Sequence, residues 1–274
     1  MLERFTYTNN FNETLEFGKD YLFVNENDLR NFAWDITTKN NRISGFKKGI
    51  VSKTIPVIIK CNTEAEGIAL RNRLFEVFEK DVVAQKHGKL YIGDYYLQCY
   101  VTGSKKTDYL IHKSYMVVTL TVETDLPSWI KEITTTHDVD SVSTDEFLDF
   151  PHDFLYDFKN GFVNTDINNT NFVPSNFILT IFGAITNPTL FIGGHQYTVN
   201  VPILQGEYLT IDSVNKTIVL TKEDGEQVNC FNDRYRDSYI FEKIPCGASE
   251  VTTAHKGIKF TITLLEERSE PKWT

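Results

Sequence analysis

The sequence has little of several features on which common functions depend. Its four cysteines, Cys61, Cys99, Cys230 and Cys246, lie far apart, with no C-x-x-C pair and no histidine at zinc-ligand spacing. We therefore predict buried free thiols, and neither a metal site nor another cofactor. No apolar run approaches the roughly 20 residues that span a bilayer, and the N terminus MLERFTYTNN lacks the apolar segment of an export signal. These absences predict a protein of a cytosol-like compartment without a membrane partner.

Basic charge is also scarce. The chain has 28 Lys and Arg against 37 Asp and Glu, which gives a formal net charge of −9. A protein that follows the phosphate backbone of a nucleic acid needs a basic stripe, so we expect no sequence-specific nucleic-acid partner. Walker, zinc-ribbon and nucleophile-elbow spacings are missing as well.

Residues that could support catalysis are present but not arranged for it. The pairs His137–Asp138 and His152–Asp153 are adjacent in the chain, so their side chains point apart, and no nucleophile can be assigned to them. An acidic stretch from Asp138 to Asp157 lacks the ligand and glycine positions of an EF-hand. The prediction is a protein that is not an enzyme, although a hydrolase with residues converging from distant positions stays an alternative.

The charge divides unevenly along the chain. Residues 1–137 carry 18 basic and 17 acidic side chains, whereas residues 138–274 carry 10 and 20. The halves therefore have net charges of +1 and −10. A difference of this size indicates two surfaces with different roles, with neutral drift as the plain alternative.

Strand patterns dominate the first half. Aromatic and β-branched runs predict the strands at 21–24, 32–37, 55–60, 89–92, 95–101 and 115–122. One helix is predicted at about 63–80, with Thr63 and Glu66 as a capping box. Ile68, Leu74, Phe75 and Phe78 form its apolar side, which should pack on a sheet.

Two polar stretches interrupt these strands, Thr38–Lys53 and Gly103–Ser114. Each is either a surface loop or a protruding hairpin. A protruding hairpin must bury its apolar residues against another chain. The first stretch is the candidate intersubunit arm, and its candidate contacts are Ile43, Phe46, Lys47, Lys48, Ile50 and Val51.

The second half reads as short strands separated by turns, at 177–182, 190–192, 197–201, 208–211, 217–220, 227–231, 239–241 and 259–265. Such spacing is typical of a β-sandwich or jelly roll. We predict an N-terminal β domain with one helix at 1–135, a linker at 136–158 and a C-terminal sandwich at 159–274.

Glycan binding needs an exposed aromatic platform. Trp273 is the only tryptophan of the second half and lies at its end. Tyr208, Tyr235 and Tyr239 are therefore the candidate glycan contacts, although core packing explains most such side chains.

Four segments together resemble one family. They are Phe150–Phe158 (FPHDFLYDF), Ser44–Gly49 (SGFKKG), Lys89–Val101 (KLYIGDYYLQCYV) and Glu266–Trp273 (EERSEPKW). Their order and spacing are similar to those of the distal tail proteins of long-tailed phages.

This resemblance implies a structural role. It implies a hexameric ring at the virion tail tip, made from chains synthesised in the bacterial host cytoplasm, with an N-terminal ring domain and a galectin-like C-terminal sandwich. The implied partners are the tail tube protein, the tail-associated hub or lysin protein and receptor-binding proteins. In the family a hairpin embraces the next subunit, and Thr38–Lys53 would supply it here. A carbohydrate-binding or receptor-binding accessory module is the alternative function.

Overall fold

The structure, a computed structural model, describes residues 4–19, 21–24, 26–107, 113–139, 165–253, 255 and 257–273. The chain divides into two compact units. The first contains Met1–Lys131 together with Glu267–Thr274, and the second contains Glu132–Glu266. This division differs from the predicted one, because the chain's last residues belong with its first unit. The FPHDFLYDF segment at 150–158 and most of the predicted linker lie outside the described residues.

The first unit contains one long helix and ten strands among its described residues, β10 being the strand in which the boundary between the units falls. The helix is α1 (Glu64–Ala84), and the strands are β1 (Phe5–Thr8), β2 (Thr14–Phe17), β3 (Leu22–Val24), β4 (Asp35–Lys39), β5 (Arg42–Lys47), β6 (Val51–Lys60), β7 (Gly88–Ile92), β8 (Tyr95–Thr107), β9 (Tyr115–Thr124) and β10 (Trp129–Val139).

Seven strands of this unit form one antiparallel sheet in the order β3-β6-β9-β8-β7-β1-β2. A bridge between Lys19 and Leu22 brings the chain after β2 beside β3. The first core consists of the apolar inner residues of these strands and of α1. Strands β4 and β5 are separate: they pair only with each other among the described residues.

Helix α1 begins as the sequence predicts. The Thr63 side chain accepts a hydrogen bond from the Glu66 amide, and the Glu66 carboxylate accepts one from the Thr63 amide at 3.0 Å. The predicted capping box is therefore confirmed. Gly67 lies so close to the Lys113 carbonyl that a Cβ would collide with it, so this turn of the helix can approach the β8–β9 connection only with glycine.

The predicted apolar side of α1 is only half correct. Leu74 and Phe78 are buried against the sheet, but Ile68 and Phe75 face solvent. Asp81 is buried in the same face, where it accepts hydrogen bonds from Tyr7 and Asn10. The helix is therefore apolar on two sides, and only one of them packs on its own sheet.

In the part of the second unit that the structure describes, the regular elements are β-strands and one short 3₁₀ turn at Phe231–Asp233. Its further strands are β11 (Thr165–Asn169), β12 (Asn176–Phe182), β13 (Ile185–Thr186), β14 (Thr189–Ile192), β15 (His195–Thr198), β16 (Pro202–Ile203), β17 (Tyr208–Asp212), β18 (Thr217–Thr221), β19 (Gln227–Asn229), β20 (Gly247–Thr253) and β21 (Ile258–Arg268).

Two antiparallel sheets and the short two-stranded pair β13-β16 make up the described part of this unit. One has the order β19-β18-β17-β12-β21-β10, and the other has the order β11-β20-β14-β15. The second core takes side chains from both sheets, including Phe177 and Ile262 from the first and Ile192 and Val251 from the other. The sheets therefore pack face to face as a sandwich. The predicted mainly β architecture with one long helix is confirmed.

Several local expectations were wrong. Residues 239–241 form a turn, not a strand, and β1, β2, β10, β11, β13, β16 and β20 were not predicted. Strand β10 extends through 136–139 of the predicted linker, because Thr134 and Thr136 face Thr263 and Thr261 across the sheet and share hydrogen bonds with them. A threonine-rich strand of this kind has no apolar alternation to mark it.

The cysteine prediction holds for three residues. Cys61, Cys99 and Cys230 are buried free thiols, but Cys246 is exposed. It precedes β20 directly, where the chain turns through Gly247 with a positive φ of 87°.

Candidate assembly surface

The hairpin of β4 and β5 protrudes from the first unit. Its two strands are joined by Asn40 and Asn41, whose φ values of 52° and 58° are both left-handed. Such a two-residue turn matches the twist of paired strands, and asparagine tolerates the conformation better than most residues. The local sequence therefore fixes the tip of this hairpin.

An extra residue in β5 decides which side chains share a face. Thr37 pairs with Gly45 and Thr38 pairs with Ile43, so Ser44 is left over as a bulge. Its hydroxyl donates to the Thr37 carbonyl at 3.1 Å. Gly45 is needed opposite Thr37, because a Cβ at this position would approach the threonine hydroxyl to 2.9 Å.

The bulge places three apolar side chains together. Ile43 and Phe46 are three positions apart and would face opposite sides of a regular strand. With Ser44 bulged, Ile43 pairs with Thr38 and Phe46 pairs with Ile36, so all of them face one way. Lys39, Arg42 and Lys47 belong to pairs on the opposite face. The hairpin therefore has one apolar face and one basic face.

Nothing in the described chain covers the apolar face. The exposed fractions are 56% for Ile36, 58% for Ile43 and 62% for Phe46. An isolated two-stranded hairpin is marginally stable in water, and unpaired apolar surface of this kind marks an interaction site. We call Asp35–Lys47 the arm.

The base of the arm is held by Lys48. Its amine donates to the Ser128 hydroxyl at 3.1 Å and to the Pro127 carbonyl at 3.3 Å, and it lies 4.7 Å from the centre of the Trp34 ring. Burial lowers the pKa of Lys48, and Glu267 opposes this shift. These contacts connect both ends of the arm to the connection between β9 and β10.

Two further cations hold the chain that leads into the arm. The buried Lys53 amine donates to the carbonyls of Asn31 at 2.6 Å and Asp28 at 3.1 Å, and burial lowers its pKa. Arg30 donates to the Pro271 carbonyl at 3.0 Å and stacks 3.9 Å from the centre of the Trp273 ring. The first unit thus anchors residues 28–34 from β6 and from the chain's C-terminal end.

The structure distributes the candidate arm residues over three places. Ile43, Phe46 and Lys47 lie on the arm, Lys48 and Ile50 lie at its base, and Val51 is the first residue of β6, paired with Thr124 in the main sheet. The arm itself begins at Asp35, before the predicted stretch. In the second polar stretch, residues 103–107 continue β8 alongside β9, and 108–112 lie outside the described residues.

Sequence reasoning missed Ile36 as part of the apolar face, along with the exposed Phe32 and Trp34. The alternation of Phe32, Trp34 and Ile36 was visible, but it was assigned to an ordinary strand. Alternation shows that one side of a strand is apolar and does not show what covers that side.

The candidate glycan contacts do not converge on one place. Tyr208 begins β17 and lies near Phe182, with ring centres 6.3 Å apart. The Lys216 amine lies 5.4 Å from the centre of the Tyr239 ring. Lys216 comes just after the other end of β17. The five residues of that strand separate its ends by about 13 Å. Tyr235 lies beside the end of β15, because its amide donates to the Thr198 carbonyl and the preceding Arg234 forms a β-bridge with Val199. A hydrogen bond with Asp237 raises the pKa of the Tyr235 hydroxyl.

One serine and one histidine of the second unit do meet. The Ser238 hydroxyl is 3.2 Å from His195 Nε2, but it donates to the Gln196 carbonyl at 2.7 Å. The same Nε2 lies 2.9 Å from the Tyr239 carbonyl, an acceptor that favours a proton on Nε2. A nitrogen that already carries its proton cannot take one from Ser238, so this pair lacks the arrangement of a nucleophile and its base.

Within the described residues, no three His, Cys, Asp or Glu side chains are grouped to hold a metal ion. The described helices also include none with the length and apolar character that crossing a bilayer requires.

Comparison with known proteins places the fold. No family model and no curated protein sequence matches the chain. A solved Dit protein of SPP1, described as a paradigm of the hub adsorption apparatus in phages infecting Gram-positive hosts, matches with a TM-score of 0.62 at 13% identity, over 96% of this chain and 99% of that chain.

A chain of the phage P2 baseplate, in its activated conformation with Ca, matches with a TM-score of 0.64 at 12% identity, over 99% of this chain and 100% of that chain. The same baseplate with Sr matches with a TM-score of 0.62 at 12% identity, over 98% and 99%. The resemblance to distal tail proteins is therefore confirmed at the level of the fold, across both units.

Proposed function

We propose that this protein is a structural component of a phage tail tip, in which six copies close into a ring that joins the tail tube to the adsorption proteins. It acts by geometry and surface complementarity and catalyses no reaction. The observation that carries the proposal is the arm, whose apolar face is covered by none of the described residues of its own chain. The shared fold with phage hub and baseplate proteins supports it.

An arm suits ring closure for a physical reason. A ring of more than two copies needs an interface in which one patch meets a different patch of the neighbour. A projecting hairpin supplies the first patch, and the neighbour must supply a surface that receives it. The number six is what the family resemblance implies.

The charge distribution is consistent with this arrangement. The first half, which carries the arm, has a net charge of +1 and can pack against copies of itself with little repulsion. The second half, at −10, is kept soluble on the outside of a ring. Within this proposal the second unit docks the receptor-binding proteins.

The test shortens the arm. Residues 36–46 are replaced by Asn-Gly, which removes Ile36, Ile43 and Phe46 and closes a two-residue turn on the existing Asp35–Lys47 pair. Size-exclusion chromatography with light scattering, followed by electron microscopy, compares the variant with the wild type, each alone and with the neighbouring tail proteins. We expect rings from the wild type and unassembled chains from the variant.

The control is Thr37→Ala, which changes the opposite face of the arm and should leave assembly intact. Far-UV circular dichroism shows whether each variant is folded; the shortened arm removes no core residue, so its spectrum should match that of the wild type. Rings of normal size from the shortened chain would show that assembly does not depend on the arm. A wild type that forms no ring even with the tail proteins would contradict the proposed function.

A further inference from the structure

Helix α1 carries an exposed apolar stripe beside the side that packs on its own sheet. Ile68, Phe75 and Val82 are spaced by seven residues, nearly two full turns, so they lie along one side of the helix. All three are exposed, and Phe75 most of all at 60%. The buried side of the helix is formed by other residues, among them Leu74 and Phe78. The stripe therefore contributes nothing to the core of its own chain.

A groove lies beside the middle of this stripe. It has a volume of about 180 Å³ and is bounded by Phe75, Arg71 and Glu79 from α1 and by residues of β8 and β9. Its apolar lining includes Val101, Met116 and Val118. A cavity of about 150 Å³ accepts a benzene ring, so this groove has room for one phenyl side chain, with Arg71, Glu79 and Lys106 at its polar side.

The arm has the complementary chemistry. Its apolar face presents Ile36, Ile43 and Phe46, of which Phe46 is the phenyl side chain and the most exposed. The basic side chains of the arm lie on its opposite face, so they stay in water when the apolar face is covered.

The occupant must come from a second copy. In a single chain the apolar face of the arm and the stripe are exposed at the same time, so neither covers the other. We propose that the stripe and groove of α1 receive the arm of the neighbouring copy, with Phe46 entering the groove beside Phe75. This inference rests on the proposed ring and names the surface that closes it.

The first test is disulfide cross-linking. Phe46→Cys and Phe75→Cys are combined in one chain whose exposed Cys246 is replaced by Ser. If the two positions meet between copies, oxidation should give a ladder of linked chains on a non-reducing gel, at least about tenfold faster than the control, since a disulfide needs its Cβ atoms about 4 Å apart. The matched control is Lys39→Cys with Phe75→Cys, because Lys39 lies on the opposite face of the arm.

The second test mixes two damaged copies. Phe46→Asp spoils the arm and leaves the groove intact, whereas Phe75→Asp spoils the groove and leaves the arm intact. Each variant alone should fail to form rings, but the mixture retains one good interface. It should therefore give a 1:1 complex of about 63 kDa, twice the 31.6 kDa of one chain, that cannot grow into a ring.

The outcomes separate this inference from the proposed function. Rings from the Phe75→Asp variant, together with cross-linking no faster than the control, would show that the α1 surface does not receive the arm. The proposed ring would still stand. A wild type without rings and without faster cross-linking would overturn both. Selective 46–75 cross-linking and a 1:1 mixed complex support both.

Discussion

At the scale of single residues, one buried carboxylate organises the end of α1. Asp81 is fully buried and accepts a hydrogen bond from the Tyr7 hydroxyl at 2.5 Å and from the Asn10 amide at 2.8 Å. Gly88 lies against the side chains of Tyr7 and Asp81, and a Cβ at this position would collide with both. The network connects β1, the helix and β7.

Replacing Asp81 by Ala should destabilise the first unit strongly. The change leaves the Tyr7 hydroxyl and the Asn10 amide without their acceptor, and the expected loss is about 3 kcal/mol of unfolding free energy. Urea unfolding followed by tryptophan fluorescence measures it, because Trp34, Trp129 and Trp273 all belong to the first unit. Glu79→Ala, on the exposed side of the same helix, should change stability by under about 0.5 kcal/mol. Equal losses would contradict the network.

Tyr7 also predicts a dependence on alkaline pH. Burial raises the pKa of its hydroxyl, and the hydrogen bond with Asp81 adds to the shift. An unfolded tyrosine loses its proton near about pH 10, whereas the folded protein keeps it, so this contribution is complete below about pH 10 and decreases above it.

Between about pH 9 and about pH 11, the wild type should therefore lose more unfolding free energy than Tyr7→Phe, by up to roughly 1.4 kcal/mol for each pH unit above 10. Urea midpoints across this range give the two slopes. Identical slopes would show that Tyr7 titrates normally in the folded protein.

At the scale of elements, α1 and the arm show two kinds of predictability. The start of α1 was predictable because a capping box involves residues three positions apart. Its exposed side was not, because Phe75 is as apolar as the buried Phe78, and only the position of the sheet distinguishes them. The arm was predicted as a hairpin candidate, but its apolar face depends on the bulge at Ser44, which pairing with β4 reveals.

Removing the cap of α1 has a modest expected cost. Thr63→Ala deletes the acceptor of the Glu66 amide and should lower the unfolding free energy by about 1 kcal/mol. Thr63→Ser keeps the hydroxyl and should retain most of the stability. A Thr63→Ala protein as stable as the wild type would mean that water replaces the cap without cost.

At the scale of the whole molecule, the chain's far end returns to the first unit. Residues 267–274 belong to that unit, where the Pro271 carbonyl and the Trp273 ring hold Arg30. The end of the chain therefore supports the segment from which the arm projects.

Truncation after Glu270 tests this role. It removes Pro271 and Trp273, whose carbonyl and ring contact the Arg30 guanidinium, so we expect a loss of about 1 to 2 kcal/mol in urea unfolding of the first unit. Arg30→Ala should also lower the unfolding free energy, and the two changes together should cost less than the sum of the two separate losses. Additive losses would indicate that the two segments act independently.

Much of this protein follows from local patterns. Alternation of apolar side chains predicted most of the core strands, and the Thr63–Glu66 spacing predicted where α1 begins. These signals involve residues close together in the chain and need no knowledge of distant contacts.

Other features required the pairing of distant residues. The threonine strand β10, the separation of Tyr208 from Tyr239, the shared face of Ile36, Ile43 and Phe46, and the exposure of Ile68 and Phe75 depend on which segments meet. An apolar side chain has the same composition in a core and on an interface, and what covers it is settled by the packing of the whole fold.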